Sequence, residues 1–505
     1  TLSYIIICVS LGHMYSAKTP MMSRYNRYTA LFLLPTLLAL SSQAQTPLPS
    51  LGDRISGTVS LEQEYEMGQQ FLSQIRRSAL TIPDALLNDY LENLTYKLAS
   101  RSQLQDHRLS FIIIDSEELN AFAAPGGIIG VNTGLFLNAQ TEAEFASVMA
   151  HEIAHVSQRH FARGVDEAQA GRVPQLATLL ASVLVMATSQ AEHGMAAITA
   201  TQGRAVENQL RFSRSHEAEA DRIGQDNMYY SGFDPDAMGK LFERLIALNR
   251  FGRRPPEFLL SHPLTESRVA DARGRAMRYP PSDYANNLEY QTMRARILSH
   301  YAPDRRALIM EYQEKLNEST NEFAQDANRY GLAVSYSEDE QYARANTTLA
   351  PLLLKDPNRI SYVVTQAEIY TAQNEPHQAI NFLRRHLEIN PDNHSLTMAY
   401  VAALQESRAY TEAAEMMERY TQFRANDHHL WFQLAETWGQ AGNIGKVHQA
   451  RAEYFMLLHD FRRAREQLQF AVRVETDNGA APAELARLRQ KISNVEEIIR
   501  ELSDD

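Results

Sequence analysis

Thr141-Glu142-Ala143-Glu144-Phe145-Ala146-Ser147-Val148-Met149-Ala150-His151-Glu152-Ile153-Ala154-His155 is the stretch whose reading decides the fold of the first half of the chain. Thr141 and Glu144 have the spacing of a capping box, so a helix is expected to start there. Its run is uninterrupted to Arg163, and Gly164 is a natural stop. Residues four apart on a helix lie one above the other, so His151 and His155 point the same way and can share one zinc ion. Glu152, between them, can reach a water beside that ion and act as general base. Phe145, Val148, Met149, Val156 and Phe161 give the helix apolar positions for burial. His160 falls five residues after His155, off that face, and reads as a solvated residue. The plain alternative is a core helix carrying two satisfied histidines.

A catalytic zinc keeps three protein ligands and one open position. The third ligand is sought in Ser213-Arg214-Ser215-His216-Glu217-Ala218-Glu219-Ala220-Asp221-Arg222-Ile223-Gly224. Glu217 and Asp221 are four apart on a second expected helix, so both can face the first. Glu217 would ligate, and Asp221 would hold a zinc histidine through its other ring nitrogen. Glu219 points roughly opposite, and His216 is a weaker choice. Read blandly, the same residues make an ordinary acidic helix face.

These motifs resemble the zinc metallopeptidase family that contains HtpX and the CAAX prenyl endopeptidases. Two further stretches carry the likeness: Asn120 to Gly134, with Pro125-Gly126-Gly127 at its centre, and Ser261-His262-Pro263-Leu264-Thr265-Glu266-Ser267-Arg268. The resemblance implies a gluzincin-like α+β domain with a small sheet and one zinc ion per chain. It assigns His151, His155 and Glu217 as ligands and Glu152 as base. Asp221 would be a second catalytic position, orienting a ligand or passing a proton.

The flanking residues can also be read without the family. Phe111-Ile112-Ile113-Ile114-Asp115 and Ile128 to Val131 are short β-rich runs, with Pro125-Gly126-Gly127 turning between them. An edge strand beside a metal would let a substrate peptide add as a further strand, which favours extended or unfolded proteins as substrates. A small structural sheet accounts for the same residues. His262 has two functional readings: stabilising the oxyanion of a tetrahedral intermediate, or approaching the zinc and blocking its open position. It could equally be a loop histidine ahead of a helix start.

Composition sets the compartment. From Met21 or Met22, basic Arg24 and Arg27 precede the apolar run Leu31 to Leu40, and Ser42-Gln43-Ala44 fits a cleavage site. A cleaved export signal would leave a periplasmic chain from about Gln45, with residues 1–20 an over-extended start. The only cysteine, Cys8, lies in the part removed. Loss of Lys18, Arg24 and Arg27 takes the net charge from −12 to −15. That balance argues against nucleic acid and against a polybasic membrane footing. Leu176 to Ala187 is apolar, but its twelve residues fall short of the roughly twenty needed to span a bilayer. It reads as a buried helix or a flap, and no transmembrane span is expected in the mature chain. HtpX-like relatives are integral membrane proteins, so this would be a soluble, exported branch.

The second half has a different rhythm. Ala345, Ala379 and Ala413 are spaced 34 apart, as are Leu349, Leu383 and Met417. Pro357 and Pro391 keep that interval, with Ala425 at the next turn, and Ala367 and Ala435 stand two periods apart. This is the signature of tetratricopeptide repeats, an α-solenoid whose groove suits peptides or partner proteins. Phe461-Arg462-Arg463-Ala464 falls out of strict register, so the array carries an extra helix or continues irregularly. The expected fold is mainly α. It comprises a metallopeptidase domain over 45–280, a helical bridge over 281–324, repeats over 325–490 and a tail over 491–505. An export signal, a soluble metallopeptidase and a repeat array together resemble the family of periplasmic proteases that assist and police β-barrel assembly at the outer membrane. That likeness implies unfolded or misassembled outer-membrane proteins as substrates and assembly machinery as partner of the repeats. A non-proteolytic chaperone or scaffold with a structural or shut zinc site is the other reading.

Overall fold

The computed structural model describes residues 59–169, 214–251, 256–284 and 287–504. The export segment and the apolar run 176–187 lie outside them. Helix α1 (Leu61–Ser78) starts at Ser60, whose hydroxyl and Gln63 form a reciprocal capping box. Helix α2 (Ala85–Ala99) starts where Asp84 accepts from the Leu86 and Leu87 amides. A three-stranded sheet follows, in the order β1 (Ser110–Ile114), β3 (Ile128–Asn132), β2 (Ala121–Ala124).

The two β-rich runs do pair, but in parallel, with Ser110 opposite Ile128. The Pro125-Gly126-Gly127 turn joins β2 to β3 instead, as an antiparallel hairpin. Strand β2 is the alanine-rich Ala121-Phe122-Ala123-Ala124, which lacks the β-branched residues that mark strands in a sequence. The hairpin needs its glycines: Gly126 and Gly127 have φ of 71° and 76°. The outer edge of β1 is met by Thr81 in an isolated antiparallel bridge. The outer edge of β2 has no ladder partner among the described residues.

Helix α1 sits on the hairpin turn so closely that a Cβ at Gly68 would lie 2.1 Å from the Pro125 carbonyl oxygen. Gly68→Ala is therefore expected to cost about 1–3 kcal/mol through overpacking against backbone. It would be read as a lower denaturation midpoint with unchanged slope. An unchanged midpoint would mean that α1 is not seated on the turn.

Helices α3 (Gly134–Asn138) and α4 (Glu142–Ser157) complete the first layer. The Thr141 hydroxyl caps α4 by accepting from the Glu144 amide, as expected. Glu144 reaches back one residue further than the capping box requires, accepting from the Gln140 amide at 2.6 Å, and Arg244 pairs with it. The helix is not continuous to Arg163. It stops at Ser157, and α5 (His160–Gln169) starts after Arg159, whose φ is 50°. Glu64 holds that strained residue, accepting from Arg159 Nε at 2.8 Å, and the Val59 carbonyl accepts from Nη2 at 2.6 Å. Neither tertiary contact can be seen in local periodicity.

Helices α6 (Arg214–Tyr230), α7 (Asp236–Phe251), α8 (Glu257–Ser261) and α9 (Glu266–Ala276) close the site from the other side. Helices α10 (Leu288–His300) and α11 (Arg305–Glu318) lead to the solenoid. Tyr290 anchors α10 on the first layer: its ring lies 5.6 Å from Phe145, and its hydroxyl donates to the Ala139 carbonyl at 2.6 Å.

The solenoid helices are α12 (Glu322–Glu338), α13 (Tyr342–Lys355), α14 (Ile360–Ala372), α15 (Pro376–Ile389), α16 (His394–Glu406), α17 (Tyr410–Tyr420), α18 (His428–Gln440), α19 (Ile444–Leu457), α20 (Phe461–Asp477) and α21 (Pro482–Asp504). The 34-residue positions Ala345, Ala379 and Ala413 are buried, as are Leu349, Leu383 and Met417 one turn on. Small residues there let successive helices approach closely. Val447 on α19 takes the next place in the period, so a search for alanine alone misses it. Ala464 belongs to an additional helix, α20.

The solenoid folds back onto α2. Arg424 bridges Asp89 at 3.0 Å and Glu92 at 2.9 Å, and Asp89 also accepts from the Ser395 amide and hydroxyl. Arg296 ties Asp84, the α2 cap, to Glu368 of α14. Among the described residues no helix is long and apolar enough to cross a membrane.

Candidate metal centre

Helices α4 and α6 cross where both carry small residues: Ala150 and Ala154 on one, Ala220 and Gly224 on the other. A Cβ at Gly224 would stand 3.2 Å from the Ala150 backbone. This close crossing brings carboxylates of α6 to the histidines of α4. His151, Glu152, His155, Glu217, Asp221 and His262 are all buried.

Four donor atoms converge on one point. His151 Nε2 is 3.0 Å from His155 Nε2 and 3.5 Å from Glu217 Oε2. His155 Nε2 is 3.4 Å from Glu217 Oε1. His262 Nδ1 completes the set, 3.3 Å from His151 Nε2 and 3.0 Å from Glu217 Oε1. A tetrahedral zinc with bonds of about 2.0–2.1 Å has its ligand atoms roughly 3.3 Å apart, so these side chains fit such an ion. Three imidazoles and a carboxylate are also the donor chemistry that zinc accepts.

The other functional side chains surround this cluster. Glu152 points beside it. Neither of its oxygens has a hydrogen-bond partner, and Oε1 lies 3.5 Å from His262 Nε2. Burial raises its carboxyl above the ordinary range, against the pull of His262, His151 and the Ala123 amide of β2. Asp221 Oδ1 sits 3.0 Å from His151 Nδ1, behind the ring. Burial pushes His151 down, but Asp221 and Glu217 outweigh it and hold the ring up to about 10. The same carboxylates would attract a divalent cation at the point of convergence. Burial opposes the charged form of Glu217, but His262, His151 and His155 bring its carboxyl well below the ordinary range.

Sequence reasoning missed two groups here. Arg268 grips Asp221 through Nε and Nη2 at 2.7 and 2.8 Å, and its Nη1 reaches both Glu217 Oε2 and the Pro263 carbonyl. Its only signal in the sequence is its place at the end of the Ser261–Arg268 motif. His160 is the second: it is fully buried, not solvated, with Nδ1 2.9 Å from His155 Nδ1. Glu219, which helical spacing turns roughly opposite to Glu217, meets His160 Nε2 at 3.1 Å and Arg163 at 2.8 Å. His216 is not among the converging donors; its ring stacks on His160 at 4.5 Å.

The family model for peptidase family M48 matches residues 85–276, which hold all of these side chains. The chain is 37% identical to the β-barrel assembly-enhancing protease of Escherichia coli over 423 residues, 83% of this chain and 85% of that protein. The protein of the same name from Yersinia pestis is 35% identical over 82% of this chain and 85% of its own length. Metalloprotease LoiP of Escherichia coli is 28% identical over 37% of this chain. Full-length relatives at this identity show that the chain belongs to peptidase family M48, the metallopeptidases, together with the β-barrel assembly-enhancing proteases.

Proposed function

We propose that this protein is an exported zinc endopeptidase that acts on misfolded or stalled outer-membrane proteins and assists β-barrel assembly in the periplasm. The observation that carries the chemistry is the convergence of four donor atoms beside the buried carboxylate of Glu152, whose Oε1 lies 3.5 Å from His262 Nε2. His151, His155 and Glu217 are the ligands in this reading. A zinc ion held there supplies Lewis acidity to a water and to the scissile carbonyl. Glu152 takes the proton of the attacking water and passes it to the leaving amine. Asp221, fixed by Arg268, lies 3.0 Å from His151 Nδ1 and would keep the other nitrogen directed at the centre. The outer edge of β2 offers main-chain groups to an extended peptide, which selects unfolded chains.

His262 takes the blocking role. Its Nδ1 lies 3.3 Å from His151 Nε2 and 3.0 Å from Glu217 Oε1, where it would stand in place of a water or substrate oxygen on a bound ion. Phe258 stacks on the ring at 4.8 Å and the Phe258 amide donates to the Leu119 carbonyl, so helix α8 holds the block in place. His262→Ala is expected to raise the rate of degradation of a reduced, unfolded protein severalfold while leaving the fold intact. Loss of proteolysis in that variant would assign His262 to the oxyanion instead.

The barrel-assembly role rests on the names of the relatives, and the solenoid supplies a groove for substrate or assembly machinery. Photocrosslinking from groove positions in cells tests this: outer-membrane proteins or their assembly machinery should be captured, and crosslinks only to unrelated proteins would reject it. A second reading, a scaffold whose zinc is structural, draws on the full set of four protein donors, the mark of structural sites. It gives no role to Glu152. Equal proteolysis by wild type and Glu152→Gln would favour it.

A further inference from the structure

Asp221 Oδ1 stands 3.0 Å behind His151 Nδ1, and His155 has a different neighbour at the corresponding nitrogen. Its Nδ1 meets another imidazole. His160 Nδ1 is 2.9 Å away, and the far nitrogen of the same ring, Nε2, is 3.1 Å from Glu219 Oε2. Arg163 Nη1 holds that carboxylate at 2.8 Å. His216 lies flat on the His160 ring, with 15° between planes.

One requirement sets the proton positions along this series of rings. If His155 gives the lone pair of Nε2 to a metal, its proton sits on Nδ1 and must be donated. His160 Nδ1 must then accept, which puts the His160 proton on Nε2, where Glu219 accepts it. Every link has one donor and one acceptor. The backbone is arranged for it: on an unbroken helix His160 would point away, and the positive φ of Arg159 swings it back beneath His155.

We propose that His160 and Glu219 are positioning residues for the metal centre, fixing the tautomer and ring orientation of His155 as Asp221 does for His151. Glu219 and Asp221 lie two residues apart on α6, and each is anchored by its own arginine. The two histidines of α4 are thus steered by one helix, once directly and once through an interposed ring. Outer partners of this kind strengthen a ligand and commonly contribute about 10–100-fold to metal affinity.

This inference rests on His155 being a metal ligand. The test measures zinc affinity by chelator competition and the visible spectrum of the cobalt-substituted protein, for wild type, His160→Phe, His160→Asn and Glu219→Ala. A wild type that binds no metal would defeat the ligand assignment of His155 itself, an outcome distinct from any difference among the variants. His160→Phe keeps the stacked ring but removes both nitrogens. It is expected to bind zinc about 10–100-fold more weakly and to shift the cobalt bands. His160→Asn can still accept from His155 Nδ1 and should recover most of that loss. Glu219→Ala cuts the far end, outside the ring packing, and should weaken zinc in the same direction by less. Wild-type affinity and spectrum in His160→Phe or in Glu219→Ala would overturn the proposal. So would an equal loss in His160→Phe and His160→Asn that tracks a lower melting temperature of the metal-free protein, which marks a plain core residue.

Discussion

Glu152→Gln is expected to lower the rate of proteolysis by about 10²–10⁴, the usual contribution of a positioned general base. Glutamine keeps the volume and the rotamer, so the fold and the bound metal should survive. The size of the effect comes from the environment of the carboxylate. It is fully buried, faces His262 Nε2 at 3.5 Å, and is held above its ordinary pKa range by burial. Single-turnover cleavage of an unfolded protein, with zinc content measured on the same sample, checks this. A variant that keeps its metal and cleaves at the wild-type rate would remove Glu152 from the reaction.

Glu217→Gln carries the second large effect, and here the metal itself should be lost. Both oxygens of Glu217 face the cluster, at 3.5 Å from His151 and 3.4 Å from His155. Arg268 Nη1 rests on Oε2 at 2.8 Å. Removing the charge leaves three imidazoles and a buried guanidinium around one point, and takes away the only carboxylate among the four converging donors. Zinc content after dialysis against a weak chelator should fall from one per chain towards none, and proteolysis with it. Arg268 keeps Asp221 and the Pro263 carbonyl as partners in that variant, so the fold should survive the loss of the metal. Zinc content equal to wild type would take Glu217 out of the ligand set.

Those two residues were legible in the sequence because helical spacing is a local property. His151 and His155, or Glu217 and Asp221, share a face wherever α4 and α6 go. The period of 34 was legible for a similar reason, since each repeat needs a small residue where its helices touch. What could not be read depends on contacts between distant segments. The break at Arg159 is held by Glu64 and Val59, about a hundred residues earlier, and without it His160 falls on the wrong face. Strand β2 is extended because β3 pairs with it and Gly130 makes room for the Phe122 ring; its alanines give no sign of it. The place of His262 depends on α8 being tied to Leu119, which no spacing within Ser261–Arg268 reveals. Sequence alone leaves blocking and oxyanion roles open for that residue, and the position of its Nδ1 among the donors favours the first.

The central claim is a single metal centre that His262 closes at rest. X-ray absorption at the zinc edge, on wild type and His262→Ala, tests it most directly. One zinc per chain is predicted in both proteins, with four nitrogen or oxygen donors at about 2.0 Å, and imidazole scattering that falls from three histidines to two in the variant. Identical spectra from the two proteins, or a wild type that binds no zinc, would contradict it.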